Sequence, residues 1–143
     1  MRQALRRLWR NDLIEGAEIS AYEQSFSKYL GEGKSFSFCA GRMALYAILK
    51  TLNVEPGDEV IIPAFTCVVV PNAIIYAGAT PIYCDIETER FSSAPRDLES
   101  KITPRTKAIV AQHTFGIPCL IEEIMEIGNQ HNIPVIEDCA HSL

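Results

Sequence analysis

The sequence predicts an α/β domain built on a mainly parallel sheet with helices on both faces. Three observations carry that prediction. Short apolar segments of strand character alternate with stretches whose apolar residues recur at helical spacing. Most of the strand segments are short and largely apolar, the pattern of strands covered on both sides. Glycine or proline punctuates most of the junctions between them.

The elements follow in order. From Glu18 to Leu30, side chains at Ile19, Tyr22, Phe26, Tyr29 and Leu30 fall at helical spacing, and Gly31 and Gly33 end that helix. Ser35 to Cys39 (SFSFC) reads as a short strand. After Gly41, the run RMALYAILKTL carries a stripe of Ala44, Leu45, Ile48, Leu49 and Leu52, a second helix. Pro56-Gly57-Asp58 is a turn, and Glu59 to Ile62 a buried strand closed by Pro63. A helix over Thr66 to Tyr76 is stopped by Gly78, and Thr80 to Asp85 is a strand. Residues 86–106 are polar, hold Pro95 and Pro104, and read as loop with a helical turn around Leu98. Lys107 to Gln112 is a strand with His113-Thr-Phe-Gly116 as its exit. Leu120, Ile121, Ile124, Ile127 and His131 mark a helix starting near Pro118, a favoured first-turn residue. Pro134 to Glu137 is the last strand, with Asp138 at its C-terminal end.

Composition narrows the function. A chain of 143 residues is long enough to bury one core, and 48% hydrophobic with 22% charged residues is ordinary for a globular protein. The net charge of −5 argues against nucleic acid as the main partner, because neutralising phosphates needs a basic face. Five cysteines at 39, 67, 84, 119 and 139 form no C-x-x-C pair, so no zinc ribbon or other metal site is expected; an odd number without a secretory signal reads as reduced cytoplasmic thiols. The opening MRQALRRLWRNDLIEG mixes arginines with Leu and Trp and has no unbroken apolar run, so it is neither a signal peptide nor a membrane span. Residues 1–18 read as an N-terminal helical arm and 19–143 as the domain proper. A basic amphipathic contact of the arm with a membrane surface is the less favoured alternative.

In parallel sheets, ligands bind beyond the carboxyl ends of the strands. Two exits there carry chemistry. A strand, then Gly41, then a helix starting at Arg42 or Met43 points unsatisfied backbone N–H groups at one spot. Such a spot suits a phosphate, with Gly41 allowing close approach and Arg42 able to add a charge-assisted contact. The plain alternative is a tight βα turn with a solvated arginine. At the other exit, Glu137-Asp138-Cys139-Ala140-His141, a carboxylate at a buried strand end can hold a proton on a ring nitrogen, and His141 can bond another edge of the ring. The alternative has Asp138 capping the segment that follows.

Taken together and in order, these segments resemble the DegT/DnrJ/EryC1/StrS aminotransferases, fold-type I enzymes that use pyridoxal 5'-phosphate. The resemblance runs from about Ile19 to the last residue. It rests on Ala40-Gly-Arg-Met-Ala-Leu45, where the family has a Gly-Thr-x-Ala-Leu phosphate turn, and on Pro56-Gly-Asp-Glu-Val-Ile-Ile-Pro63 with Ala64-Phe-Thr-Cys67. Gly78-Ala-Thr-Pro81, Asp85, Thr103-Pro-Arg-Thr-Lys-Ala-Ile109 and Ile136-Glu-Asp-Cys-Ala-His141 complete it. The resemblance implies phosphate contacts at Gly41 and Arg42, a position beside the cofactor ring for Cys67, a partner for the ring nitrogen in Asp138 and a contact to the ring hydroxyl from His141. Two residues depart from the pattern: Arg42 stands where a threonine is usual, and Cys67 where an aromatic ring usually stacks. The role of His113, in a V-x-H-like strand exit, is left open.

The family's cofactor-bearing lysine lies some tens of residues beyond the Asp–His motif. The lysines here are Lys28, Lys34, Lys50, Lys101 and Lys107, none in that position. The resemblance therefore implies a truncated form: the N-terminal portion of an incomplete three-layer α/β/α large domain, without the rest of that domain and the small domain. Its parent activity would move an amino group from an amino-acid donor to a nucleotide-linked keto-sugar. An uncovered sheet edge would favour a homodimer or completion by another chain. The alternatives are a non-catalytic cofactor- or phosphate-binding module and a dehydratase of the same family.

Overall fold

The computed structural model describes residues 17–31 and 33–142, and the chain divides into two compact units, residues 1–39 and 40–143. Of the expected arm over residues 1–18, residues 1–16 lie outside the described residues. Among the described residues, no helix is long and apolar enough to cross a membrane.

In the first unit, helix α1 (Ala17–Leu30) forms where the spacing of Ile19, Tyr22, Phe26 and Tyr29 places it, with Tyr22 and Phe26 stacked at 6.0 Å. Gly31 ends it in the left-handed region, φ +98°, and donates its N–H to the Ser27 carbonyl. Ser35 to Cys39, expected as a strand, is irregular. Its polar groups are taken by side chains of α1 in place of a neighbouring strand. Ser35 N–H donates to Ser27 Oγ at 2.8 Å, and Ser37 donates its N–H and hydroxyl to Glu23 Oε1 at 2.7 and 2.8 Å. The Ser37 N–H, and then its hydroxyl, hold the Glu23 carboxyl below its ordinary range.

The second unit contains α2 (Gly41–Thr51), β1 (Glu59–Pro63), α3 (Val69–Ala77), β2 (Thr80–Cys84), α4 (Pro95–Ser100), β3 (Thr106–Gln112), α5 (Ile121–His131) and β4 (Val135–Asp138), with a 3₁₀ turn over Thr114–Gly116. Every strand pair is parallel, and the order across the sheet is β2-β1-β3-β4. Alternate residues feed two cores, one on each face. Val60, Ile62, Ala108 and Val110 join Leu49 of α2 and Ile74 of α3. Ile61, Ile109 and Ala111 join Leu98 of α4 and Ile124 and Ile127 of α5. The result is a three-layer α/β arrangement, and burial on both faces is why β1 is buried at all five positions.

Three boundaries depart from the sequence reading, the first two for a polar reason. Helix α3 starts at Val69, not Thr66, because the Thr66 hydroxyl is drawn out of helical geometry to Gln112 on β3. Helix α5 starts at Ile121, not near Pro118, because the Cys119 N–H is held by His113 Nδ1 at 3.1 Å and the Pro118 carbonyl by Arg90 at 3.2 Å. The turn around Leu98 is a six-residue helix led by Pro95, with Leu98 wholly buried.

At the opposite end of the sheet from the strand exits, Glu59 is buried and accepts hydrogen bonds from the Thr103 hydroxyl and the Arg105 guanidinium. The Thr103 hydroxyl, against the opposing cost of burial and with help from Arg105, holds its carboxyl below the ordinary 4.5. A depressed carboxylate pKa contributes stability that is present above the ordinary value and is lost as pH falls through the depressed one. Glu59→Gln is therefore expected to lower stability at neutral pH and to flatten the loss of stability below pH 4.5, read from urea midpoints across that range. An acid limb identical to that of the unaltered chain would remove Glu59 from this role.

Candidate functional site

The chain leaves β1 toward β2 on one side of the sheet and leaves β3 toward β4 on the other, so the loops diverge between β1 and β3. The carboxyl ends of strands at such a divergence form a crevice.

Helix α2 opens at this end with Ala40 as its extended N-cap (φ −160°, ψ 147°), without a side-chain cap and without an acidic residue in the first turn. The Ala40 carbonyl takes the N–H groups of Met43 at 2.9 Å and Ala44 at 3.2 Å. Among the described residues, nothing accepts from the N–H groups of Gly41 and Arg42. Gly41 does not have a positive φ, and a Cβ built on it meets no atom within 4 Å. Neither backbone strain nor crowding by this chain explains a glycine there.

A cleft of about 410 Å³ lies against this turn. Ala40, Gly41 and Arg42 line one part of it, Asp138, Cys139 and Ala140 another, with Leu45, Ile48 and Val70 among its apolar walls. Its size falls within the usual range for small-molecule sites. Asp138 is the last residue of β4 and is half-buried. Its Oδ1 accepts the Ala140 N–H at 3.0 Å, and among the described residues its second oxygen has no partner. The capping reading of Asp138 therefore holds for one oxygen and leaves the other for a ligand.

The structure brings Gly41, Arg42 and Asp138 to one cavity and does not bring Cys67 or His141 into its lining. Cys67 is exposed on the loop between β1 and α3. His141 is also exposed; its ring lies parallel to that of Phe115 (1° between planes, centroids 6.1 Å apart), and its Nδ1 accepts the Phe115 N–H at 3.2 Å.

His113, whose role the sequence leaves open, is buried and bonded on both nitrogens: Nδ1 accepts the Cys119 N–H, and Nε2 lies 2.7 Å from Glu137 Oε1. A ring whose Nδ1 accepts must carry its proton on Nε2, so Nε2 donates to the carboxylate. This bears on metal binding. The ligand atoms of His113, Glu137 and Cys139 lie within 4.8 Å of one another, a spacing that suits a cation. A metal needs a ring lone pair, and the only one is already used by the Cys119 amide. Burial, then the Glu137 charge, also pushes the Cys139 thiol up, away from the thiolate a metal takes. The cluster is a hydrogen-bonded histidine–carboxylate pair. The Cys119 thiol nearby is pushed up to about 11, by burial first and Glu137 second.

Two features escape sequence reasoning. Phe65, Phe91 and Phe115 pack on one another with centroids 5.9 to 6.0 Å apart at the strand exits, and both Phe91 and Phe115 occupy the left-handed region (φ 54° and 56°). Gln112, at the end of β3 and in register with Asp138, joins Thr66 to Thr114. No periodicity marks any of these, since each depends on loops meeting in space.

Against proteins of known sequence, the model of the DegT/DnrJ/EryC1/StrS aminotransferase family matches residues 1–143. The GDP-perosamine synthase of Escherichia coli O157:H7 is 39% identical over 139 residues, 92% of this chain and 38% of the relative. The UDP-N-acetyl-3-dehydro-alpha-D-glucosamine 3-aminotransferase of Acidithiobacillus ferrooxidans is 36% identical over 130 residues, 91% of this chain and 35% of the relative. The chain thus spans well under half the length of these curated relatives. Among solved structures, NtdA from Bacillus subtilis with bound cofactor PMP superposes with a TM-score of 0.88 at 33% identity, over 90% of this chain and 30% of that one.

Proposed function

Because the chain belongs to the DegT/DnrJ/EryC1/StrS aminotransferase family, we propose that its cleft holds pyridoxal 5'-phosphate and serves amino transfer from an amino-acid donor to a nucleotide-linked keto-sugar. The observation that carries this reading is the convergence of an uncapped helix start and an available carboxylate oxygen on one cavity. The residues present fit the cofactor. The open face of Gly41 admits a phosphate to the N–H groups of Gly41 and Arg42, and the Arg42 guanidinium adds charge that a threonine would not. Asp138 holds a proton on the ring nitrogen through its second oxygen. Bound there, the cofactor supplies an electron sink for the carbon that exchanges its amino group. Cys67 and His141 lie on the loops after β1 and β4, outside the lining of the cleft, and a contact of either with the ring would need those loops to move over it. The names of the relatives, a GDP-perosamine synthase and a UDP-sugar 3-aminotransferase, support the substrate class. The same reading takes the working form as a homodimer in the cytoplasm, where five free cysteines stay reduced.

Among the described residues, no lysine lines the cleft. This chain is therefore expected to hold the cofactor without a covalent bond. Titration with pyridoxal phosphate should give saturable binding, and borohydride followed by peptide mapping should find no modified lysine at stoichiometric yield. Gly41→Ala should weaken that binding by at least tenfold, about 1.4 kcal/mol, with the fold unchanged, because a Cβ at that position meets no atom of this chain within 4 Å. Equal affinity of the two proteins would move the phosphate elsewhere, and no saturable binding to the unaltered chain would end the reading.

A further inference from the structure

The Gln112 side chain is buried and bonded at both ends of its amide. Its Oε1 accepts the Thr66 hydroxyl, and its Nε2 donates to Thr114 Oγ1 at 2.8 Å. Thr114, 2% exposed, passes its own proton to the Phe91 carbonyl at 2.9 Å. The donors run one way along the chain, from Thr66 through Gln112 and Thr114 to Phe91, and each hydroxyl proton is used once. The primary amide at residue 112 accepts from one hydroxyl through its oxygen and donates to the other through its nitrogen. The relay joins three segments that share no secondary structure: the loop after β1, the exit of β3 and the turn around Phe91.

Two members of the relay connect to candidate ligand-facing residues, one directly and one through Phe115. Thr66 precedes Cys67. Thr114 precedes Phe115, whose N–H reaches His141 Nδ1 and whose ring lies along the imidazole. Phe115 and Gly116 are both left-handed, φ 56° and 78°. A phenylalanine holds that backbone only where its surroundings over-determine it, and the buried Thr114 beside it supplies the anchor. With Nδ1 accepting, the His141 proton is on Nε2, which makes that nitrogen a donor toward any oxygen placed against it.

We propose that Gln112 is a positioning residue: its one buried amide seats the loop of Cys67 and, through Thr114 and the Phe115 N–H, locks His141 as an Nε2–H donor. What the two residues are positioned for rests on the pyridoxal-phosphate reading. The lock itself is read without cofactor.

The test uses the 143-residue chain labelled with ¹⁵N and the imidazole tautomers read by long-range ¹H–¹⁵N correlation. In the unaltered chain, His113 and His141 should both be Nε2–H. Gln112→Leu and Thr114→Val should turn His141 into a mixture of tautomers, while His113, held by Cys119 and Glu137 outside the relay, keeps its signature and reports an intact fold. Thr114→Ser, which retains the hydroxyl, should restore the single His141 tautomer. If Gln112→Leu does not fold, the Thr114→Val and Thr114→Ser pair decides alone. The proposal is overturned by an Nδ1–H or mixed His141 in the unaltered chain, by a His141 that ignores the valine, or by His113 and His141 changing together in a folded variant. A shift confined to His141, in a chain that binds no pyridoxal phosphate, would uphold the lock and sink the cofactor reading.

Discussion

On the proposed reading, Asp138→Asn in a complete enzyme that carries the cofactor lysine is expected to lower amino-transfer turnover by about 10²–10³-fold while leaving the fold in place. Asparagine matches aspartate in shape, and its carbonyl oxygen still accepts the Ala140 N–H that Asp138 Oδ1 accepts at 3.0 Å. The local turn after β4 therefore has no reason to change. What disappears is the negative charge on the second oxygen, and with it, on the proposed reading, the means of keeping a proton on the ring nitrogen. An amide offers either a neutral acceptor, already used, or an N–H donor that opposes a protonated nitrogen. Steady-state turnover of an active preparation, with circular dichroism to confirm the fold, checks the outcome. Turnover within a few-fold of the unaltered protein would take Asp138 away from the cofactor.

Ile109→Ala is expected to destabilise the fold by about 2–5 kcal/mol, against about 0.5–1.5 kcal/mol for Ile109→Val. Ile109 lies on β3, an inner strand, in register with Ile61 on one side and Val135 on the other, and is wholly buried against α4 and α5. Neighbours on both strands and a helical layer above leave little freedom to collapse into the space an alanine would open. Since total stability is usually about 5–15 kcal/mol, the larger substitution takes a large part of it. Urea midpoints at constant slope measure both variants. A cost below about 1 kcal/mol for the alanine would show that α5 settles inward and that this face is packed more loosely than its burial implies.

The inner strands β1 and β3 were readable because a sheet covered on both faces demands largely apolar runs, and EVII and KAIVAQ supply them. Helix α2 was readable from the stripe Ala44, Leu45, Ile48 and Leu49, and the end of α3 from Gly78, which adopts φ +95°. Ser35 to Cys39 departs from its strand reading because a short run of strand-forming residues says nothing about whether a partner strand exists; Ser27 and Glu23 meet its polar groups instead. The starts of α3 and α5 were misplaced because Thr66 and Cys119 bond to Gln112 and His113, far away in sequence. Gly128, mid-helix in α5, drew no notice: a Cβ there would lie 2.7 Å from Val135 Cγ2, a closeness that only the docked helix creates.

By itself, the sequence determined the alternation of elements, the parallel sheet, the family and the two strand exits holding Gly41 and Asp138. These depend on local periodicity and on short ordered motifs. The tertiary structure alone decided that Gly41, Arg42 and Asp138 share a cavity while Cys67 and His141 do not line it. It also decided that His113 is bonded on both nitrogens and that Gln112 spans two loops. Those outcomes depend on which distant polar groups meet away from water, where every donor needs an acceptor, and no spacing along one chain encodes that pairing.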